Sequence, residues 1–286
     1  MFSYFIYGLT AQLNIQLPFL EQEKVDTVDL YIHVEFIDIS DSTVSWPEKK
    51  NAYFLDLSPY GIYYVHSERN RIDCYAPNLQ SFFSTVFNVP FSIYFLFRNE
   101  LLLHTSSMLY KGSLLCFSAD KGKGKSTLVS YLNHCKELRI YADDTLRVAK
   151  GGLAYRANHL IKLTDETVNS FQTNTNCLGR NVTQKQYFEF KTCDQKVKCQ
   201  NIIVIERDTS NTINFFRIEN MVEKKLVLSN AIVGNQFFDK SLLLSAMYLI
   251  KEFYGHFSYH RLYIPSTLTE LAQKKDKIAE MVIRGL

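Results

Sequence analysis

The stretch "SADKGKGKSTLVSYL", residues 118–132, sets three lysines, two glycines and a Ser-Thr pair in front of an apolar run. Gly122 and Gly124 can take backbone angles closed to other residues, which lets successive N–H groups converge on an anion. A helix opening near Lys125 adds the partial positive charge of its N-terminus. Lys125 then reaches the outer phosphates of a nucleotide, and the Ser126 hydroxyl can ligate Mg2+. Lys121 and Lys123 add positive field. On this reading Gly122, Lys123, Gly124, Lys125, Ser126 and Thr127 bind the nucleotide, and the chemistry is phosphoryl transfer. The bland alternative is a solvated lysine turn ahead of a surface helix.

Eighteen residues beyond Lys125, the apolar run "LRIYA" (138–142) ends in Asp143-Asp144. Carboxylates at a strand end beside a phosphate loop meet the need for a Mg2+ ligand and a general base. Two adjacent aspartates can divide those roles, and the residues leave the division open. An Asp-Asp pair between strands is also ordinary turn chemistry.

These groups need a strand, a loop and a helix in fixed order. "LLLHTSSMLY", the turn pair Lys111-Gly112 and "SLLCFSA" read as a β-hairpin running into the loop, followed by a helix from about Lys125 to His134. "TLRVAKGGLAYR" reads as a second hairpin turning at Gly151-Gly152. An irregular Asn/Thr-rich stretch (172–184) follows, then strands at "QYFEF" and "NIIVIER", and a final 60 residues of mostly helical pattern. Before residue 98, "VDLYIHVEFID" (28–38) alternates apolar and polar positions, and short aromatic runs follow up to about residue 76. This predicts a small antiparallel β unit, then a helix through "LQSFFSTVF" capped by Asn78 and limited by Pro90. The organisation expected is an α/β protein with a β-rich part at 1–98 and a P-loop part at 99–286.

Composition agrees with a folded globular chain of 286 residues, 47% hydrophobic and 21% charged. The net charge of +3 hides an asymmetry: residues 1–98 carry 6 Lys/Arg against 11 Asp/Glu, and the remainder 26 against 18. No long basic run or zinc-finger spacing points to nucleic acid. Six scattered cysteines without CxxC pairs favour a reducing compartment. The apolar run "SLLLSAMYLI" (241–250) is too short to span a bilayer, and the start lacks a basic n-region and cleavage site. The expectation is a soluble, cytoplasmic protein with no membrane or nucleic-acid partner; self-association stays open.

The segment "LLLHTSSMLYKGSLLCFSADKGKGKSTLVSYL…LRIYADDTLRV" resembles the catalytic core of the HPr kinase/phosphorylase family. His104 stands where that family has a His at a strand end, 15 residues before Ala119. Gly122, Gly124, Lys125 and Ser126 fall on the loop's second glycine, third glycine, lysine and hydroxyl, and Asp143-Asp144 on the family's Asp-Asp pair. The likeness covers about 50 residues, 101–150. Weaker similarity, carried by "YFIYGL" and "HRLYIP", extends to stand-alone HPr-kinase-like proteins, some of them associated with modified-peptide biosynthesis. The resemblance implies a PEP-carboxykinase-like P-loop core and an ATP- and Mg2+-dependent kinase acting on a Ser/Thr hydroxyl of a peptide or protein, such as a biosynthetic precursor peptide. It implies catalytic roles for His104, Lys125, Asp143 and Asp144, with Ser126, Asp143 and Asp144 at the metal. Ala119 in place of the first glycine, Lys121 in place of a serine and the missing glycine-rich signature speak against HPr itself as substrate.

Two other readings remain. A kinase of a small hydroxylated metabolite would use free metabolites and not peptides. A nucleotide-gated binding module would hold ATP without transfer. His256 and His260 have i,i+4 spacing that suits a metal only if helical and without a completing partner; they read as structural. Cys193 and Cys199 match no common metal motif, and Arg156 and Arg180 read as ordinary surface residues.

Overall fold

The computed structural model describes residues 1–39, 46, 49–120, 122–135, 137–171, 177–181, 183–190, 196–210 and 212–286. Lys121, Cys193 and part of the Asn/Thr-rich stretch, singled out above, lie outside the described residues. The architecture is mixed α/β with several sheets.

The largest sheet runs in the order Leu138–Ala142, Thr105–Tyr110, Ser113–Ser118, Lys196–Asp208, Leu153–Arg156, Leu146–Ala149, Leu101–Leu103. Strand Ser258–Pro265 also pairs with Lys196–Asp208 and carries Asn214–Arg217 on its far side. Lys111 and Gly112 both have positive φ (46° and 81°), so they make the tight turn between Thr105–Tyr110 and Ser113–Ser118. Ser113–Ser118, Lys196–Asp208 and Ser258–Pro265 lie parallel. "LLCF" and "IIVI" are continuous apolar runs because parallel strands are covered on both faces. The second hairpin turns at Gly151 and Gly152, both with positive φ.

One face of this sheet is covered by helices Lys125–Leu132 and Leu268–Arg284, whose Leu128, Val129, Leu132, Leu271 and Ile278 share a core with Phe117, Ile203, Ile205 and Leu262. The other face lies under helices Met221–Ala231 and Lys240–Phe253, with Leu228 and Leu249 in a second core. That second core is continuous with residues 1–98, since Ile6, Tyr63 and Phe82 belong to it together with Leu101 and Cys116.

The N-terminal sheet has six strands in the order Phe2–Ile6, Leu9–Leu13, Leu30–Phe36, Arg71–Ala76, Ile62–His66, Ala52–Asp56. It is mixed, not the antiparallel unit expected: Leu30–Phe36 pairs parallel with both neighbours. The irregular segment between Leu13 and Leu30 carries the chain back across the sheet, so the second and third strands run the same way. Asn78 caps helix Leu79–Thr85 by accepting from the Ser81 N–H, and Pro90 lies in the first turn of the next helix, Val89–Leu96.

Strand Ser258–Pro265 interrupts the C-terminal helices and holds His260, while His256 lies in a 3-10 turn, so the two histidines do not share a helix face. His260 is buried and stacks on Phe215 at a centroid distance of 4.9 Å. Cys116 and Cys199 are buried free thiols with their Sγ atoms 3.3 Å apart. Arg180 pairs with Asp165. Among the described residues no helix is long and apolar enough to cross a membrane.

Candidate functional site

The site lies at one end of the largest sheet, and register explains why. Thr105 pairs with Ser118 and Ser107 with Ala142, so the start of one strand and the ends of its two neighbours reach the same edge. Ser118 leads into the loop, Ala142 into Asp143-Asp144, and Thr105 follows His104. The strand ending at Ala142 gains an extra residue at Tyr141, a bulge anchored by the Tyr141 hydroxyl donating to Ala154 O at 3.0 Å.

The loop has the backbone its glycines permit. Gly122 and Gly124 have φ of 85° and 91°, and Gly124 is the N-cap of helix Lys125–Leu132. The Lys125 side chain is buried, with Nζ donating to Ala119 O at 2.8 Å. Burial lowers its pKa, against the pull of Asp144 and Asp143, while Lys185 adds to the lowering. Ser126 Oγ donates to Asp143 Oδ1 at 2.8 Å. Lys123 is exposed. The Thr127 hydroxyl is 3.1 Å from that of Thr167, so its side chain serves the packing of helix Asp165–Phe171.

The two aspartates have different surroundings. Asp143 is buried; its Oδ1 accepts from Ser126 and from Ser106 (2.6 Å), and its Oδ2 accepts the Lys162 backbone N–H at 3.0 Å. Asp144, with a left-handed φ of 71°, turns its side chain the other way. Its Oδ2 accepts from Lys162 Nζ at 2.7 Å, and its Oδ1 lies 3.4 Å from His104 Nε2. Burial would raise the Asp144 pKa, but Lys162 and His104 outweigh it and hold the carboxyl well below the usual range. Lys162 is raised in turn, since Asp144 overcomes its burial. His104 is fixed by its backbone, whose N–H donates to Ala231 O at 2.6 Å.

Loop, Asp-Asp pair and His104 are therefore brought together, with groups that motif reading did not find. Lys162 belongs to a small separate sheet with Gln186–Glu189 and Gly179–Arg180. Its only sequence signal is a cation alternating with Ile161 and Leu163. Ser106 left a clearer one: Thr105-Ser106-Ser107 are fully buried hydroxyls in an otherwise apolar strand. Arg207 Nε donates to Lys123 O at 3.1 Å and Nη1 to Pro265 O at 2.6 Å, tying the loop to the ends of two parallel strands.

Below the aspartates, Thr145 Oγ1 is 2.5 Å from the hydroxyl of Tyr7, which also donates to Phe87 O at 2.7 Å. Tyr7 and Gly8, both with positive φ, form the tip of the first hairpin, so that tip is buried against the second half of the chain. Arg147 holds it there, bonding Tyr7 O at 2.7 Å and gripping both oxygens of Glu100.

The arrangement combines a glycine loop at a helix N-terminus, a buried ammonium, a bonded hydroxyl–carboxylate pair, and a second carboxylate beside an imidazole. Gly122 has open space above it: a Cβ there would meet nothing within 4 Å. The donor set of Ser126 Oγ and the Asp143 carboxylate is all oxygen, which suits Mg2+.

No family model matches this sequence, and no curated protein does. Among solved structures, the HPr(Ser) kinase/phosphatase from Coxiella burnetii is similar over 64% of this chain and 94% of that one, at 9% identity and a TM-score of 0.33. At that TM-score the likeness carries no argument about fold or chemistry.

Proposed function

We propose that this chain is a phosphotransferase that moves the γ-phosphoryl of ATP to a Ser or Thr hydroxyl of a peptide or protein, with Mg2+ as its metal. The observation that carries this reading is the bond between Ser126 at the start of the loop helix and Asp143 at the strand end. It joins the loop helix to the acidic pair and so supports reading the two as one site.

In this reading the N–H groups of Gly122 and of Gly124 to Ser126, with the Lys125 ammonium, bind the phosphates, the Lys123 N–H being taken by Asp120 O. Ser126 Oγ and Asp143 would hold the metal. Bound Mg2+ would draw charge from the transferring phosphoryl oxygens. Asp144 faces the acceptor, because Asp143 is turned to Ser126 and the loop helix while Asp144 is turned to His104. The acceptor oxygen forms the new bond to phosphorus, the bond to the bridging oxygen breaks with its electron pair, and ADP leaves. The hydroxyl proton passes to Asp144 Oδ1, beside His104. A carboxylate held this acidic is a weak base, which suits a loose transition state in which the leaving bond breaks ahead of proton loss.

The test is calorimetric titration of MgATP into the wild type and Lys125→Ala. Micromolar affinity, about −8 kcal/mol, lost in the variant, supports the reading. A wild type that binds neither ATP, GTP nor pyrophosphate removes it.

A further inference from the structure

Beside the loop, on the face of the sheet opposite helix Lys125–Leu132, lies a cleft of about 510 Å3. Ser118, Asp120 and Lys123 form its loop side, Val204 and Glu206 its floor, and helix Met221–Ala231 its far wall. Glu223, Leu226, Val227 and Asn230 line that wall at spacings of three and four, one face of the helix. We infer that this cleft admits the acceptor, and that the acceptor is a peptide segment with apolar side chains next to its hydroxyl. This rests on the phosphotransferase reading above and specifies its substrate.

Three observations support the assignment. The first is where the wall leads. Ala231, the last residue of the helix, accepts the His104 N–H at 2.6 Å, and His104 stands 3.4 Å from Asp144. A chain lying along the wall therefore runs toward His104, the neighbour of the proposed proton acceptor. Phosphates held at the N-terminus of Lys125–Leu132 are met from the opposite face of the sheet.

The second is charge. Arg261, inside the cleft, is engaged by both Glu206 and Glu223, the latter at 2.6 Å from Nη2. The charged lining is mixed, Asp120, Glu206 and Glu223 against Lys123, Arg207 and Arg261, so neither sign of charge dominates the cleft to select an ionic metabolite.

The third is the apolar shelf at its mouth. Leu226 is 56% exposed although it lines the cleft, and one turn earlier Val222 is 62% exposed. On the adjoining helix Lys240–Phe253, Leu244 and Met247 are exposed, the latter by 64%, and positions 241–250 carry no charge. Exposed apolar side chains on two packed helices offer a docking surface for apolar side chains. A small polyol or free amino acid would leave it wet; a peptide with leucine-like neighbours covers it.

The experiment measures phosphorylation by the full chain with MgATP and four acceptors. Two are synthetic peptides of equal length with one Ser, flanked by Leu in one and by Asn in the other; the others are free serine and glycerol. The wild type is expected to use the Leu-flanked peptide at least tenfold better, by kcat/KM, than the rest. Leu226→Asp loses at least tenfold toward that peptide, Leu226→Met restores it, and MgATP affinity in both reports an intact loop.

Equal use of the two peptides, preference for a free hydroxyl compound, or no effect of Leu226→Asp overturns the assignment. So does a loss that accompanies dissociation of a dimer in sedimentation velocity, because the shelf is then covered by a second copy. MgATP binding without use of any peptide overturns the acceptor alone. A wild type without MgATP binding overturns the phosphotransferase reading itself.

Discussion

Ser126 and Ser106 donate their hydroxyls to the same oxygen of Asp143, one from the helix after the loop and the other from a strand beside it. A buried carboxylate thus ties three elements, since its other oxygen takes the Lys162 N–H. Asp143→Ala leaves these donors without their acceptor inside the protein. The expected cost is about 3 kcal/mol, together with loss of MgATP affinity. Ser126→Ala removes one donor and leaves Asp143 satisfied, at about 1 kcal/mol. Urea denaturation of both variants checks the order.

The two loop glycines are not equivalent. Both have positive φ, so alanine at either is strained by about 1 kcal/mol. At Gly122 a Cβ meets open space, whereas at Gly124 it collides with the Arg207 guanidinium. Gly124→Ala is expected to displace Arg207 from Lys123 O and Pro265 O and lower MgATP affinity at least tenfold. Gly122→Ala keeps Arg207 in place. Calorimetry on the pair shows whether Arg207 holds the loop's shape.

Tyr7→Phe removes the hydroxyl shared by Phe87 O and Thr145, next in sequence to Asp144. The ring stays packed between Phe91 and Phe95. The expected loss is about 1–2 kcal/mol of stability, with a fall in kcat if Thr145 holds Asp144 in its left-handed conformation. Thermal melting and steady-state kinetics on the same variant separate the two effects.

Asp73 gives the N-terminal sheet a marked acid sensitivity. It is buried and accepts from His66, Arg71 and Lys49 at 3.0, 2.6 and 3.0 Å. Burial opposes ionisation, but those partners outweigh it and push the pKa down to about 2. A depressed carboxylate stabilises the fold above its unfolded value of about 3.9 and loses that contribution as pH falls through the folded value. About 2 kcal/mol is therefore expected to vanish between roughly pH 4 and 2. Subtracting the urea stability of Asp73→Asn from that of the wild type over pH 2–6 isolates this component.

The loop, its helix and the Asp-Asp strand end were legible because each is local: glycine spacing, an apolar strand and a following Ser-Thr pair lie within one short stretch. Lys162 was not, because it reaches Asp144 through pairing of Leu160–Leu163 with Gln186–Glu189, and a short apolar–cation–apolar alternation does not say which strand it will pair with. The mixed N-terminal sheet escaped for a related reason. Alternation in "LYIHVEF" shows which side of the strand is buried, and Leu30, Ile32 and Val34 are buried as the pattern requires. Alternation carries no information about the direction of the neighbour, and Phe36, at the end of the same pattern, is exposed. Tyr7 reads as one more strand aromatic, and only the hairpin's position makes it a support for the site.

The buried tip of the first hairpin also sets an order on synthesis. Tyr7 leaves the ribosome long before the residues it must meet, Phe87 at a separation of 80 positions and Thr145 at 138. Until both have emerged, the tip has no socket, and its aromatic ring stays in water or in a transient partner's keeping. The support beneath Asp144 is thus a late closure across a long span of chain, the kind of contact that slows folding. A residue made well before its partners is thus placed only after them.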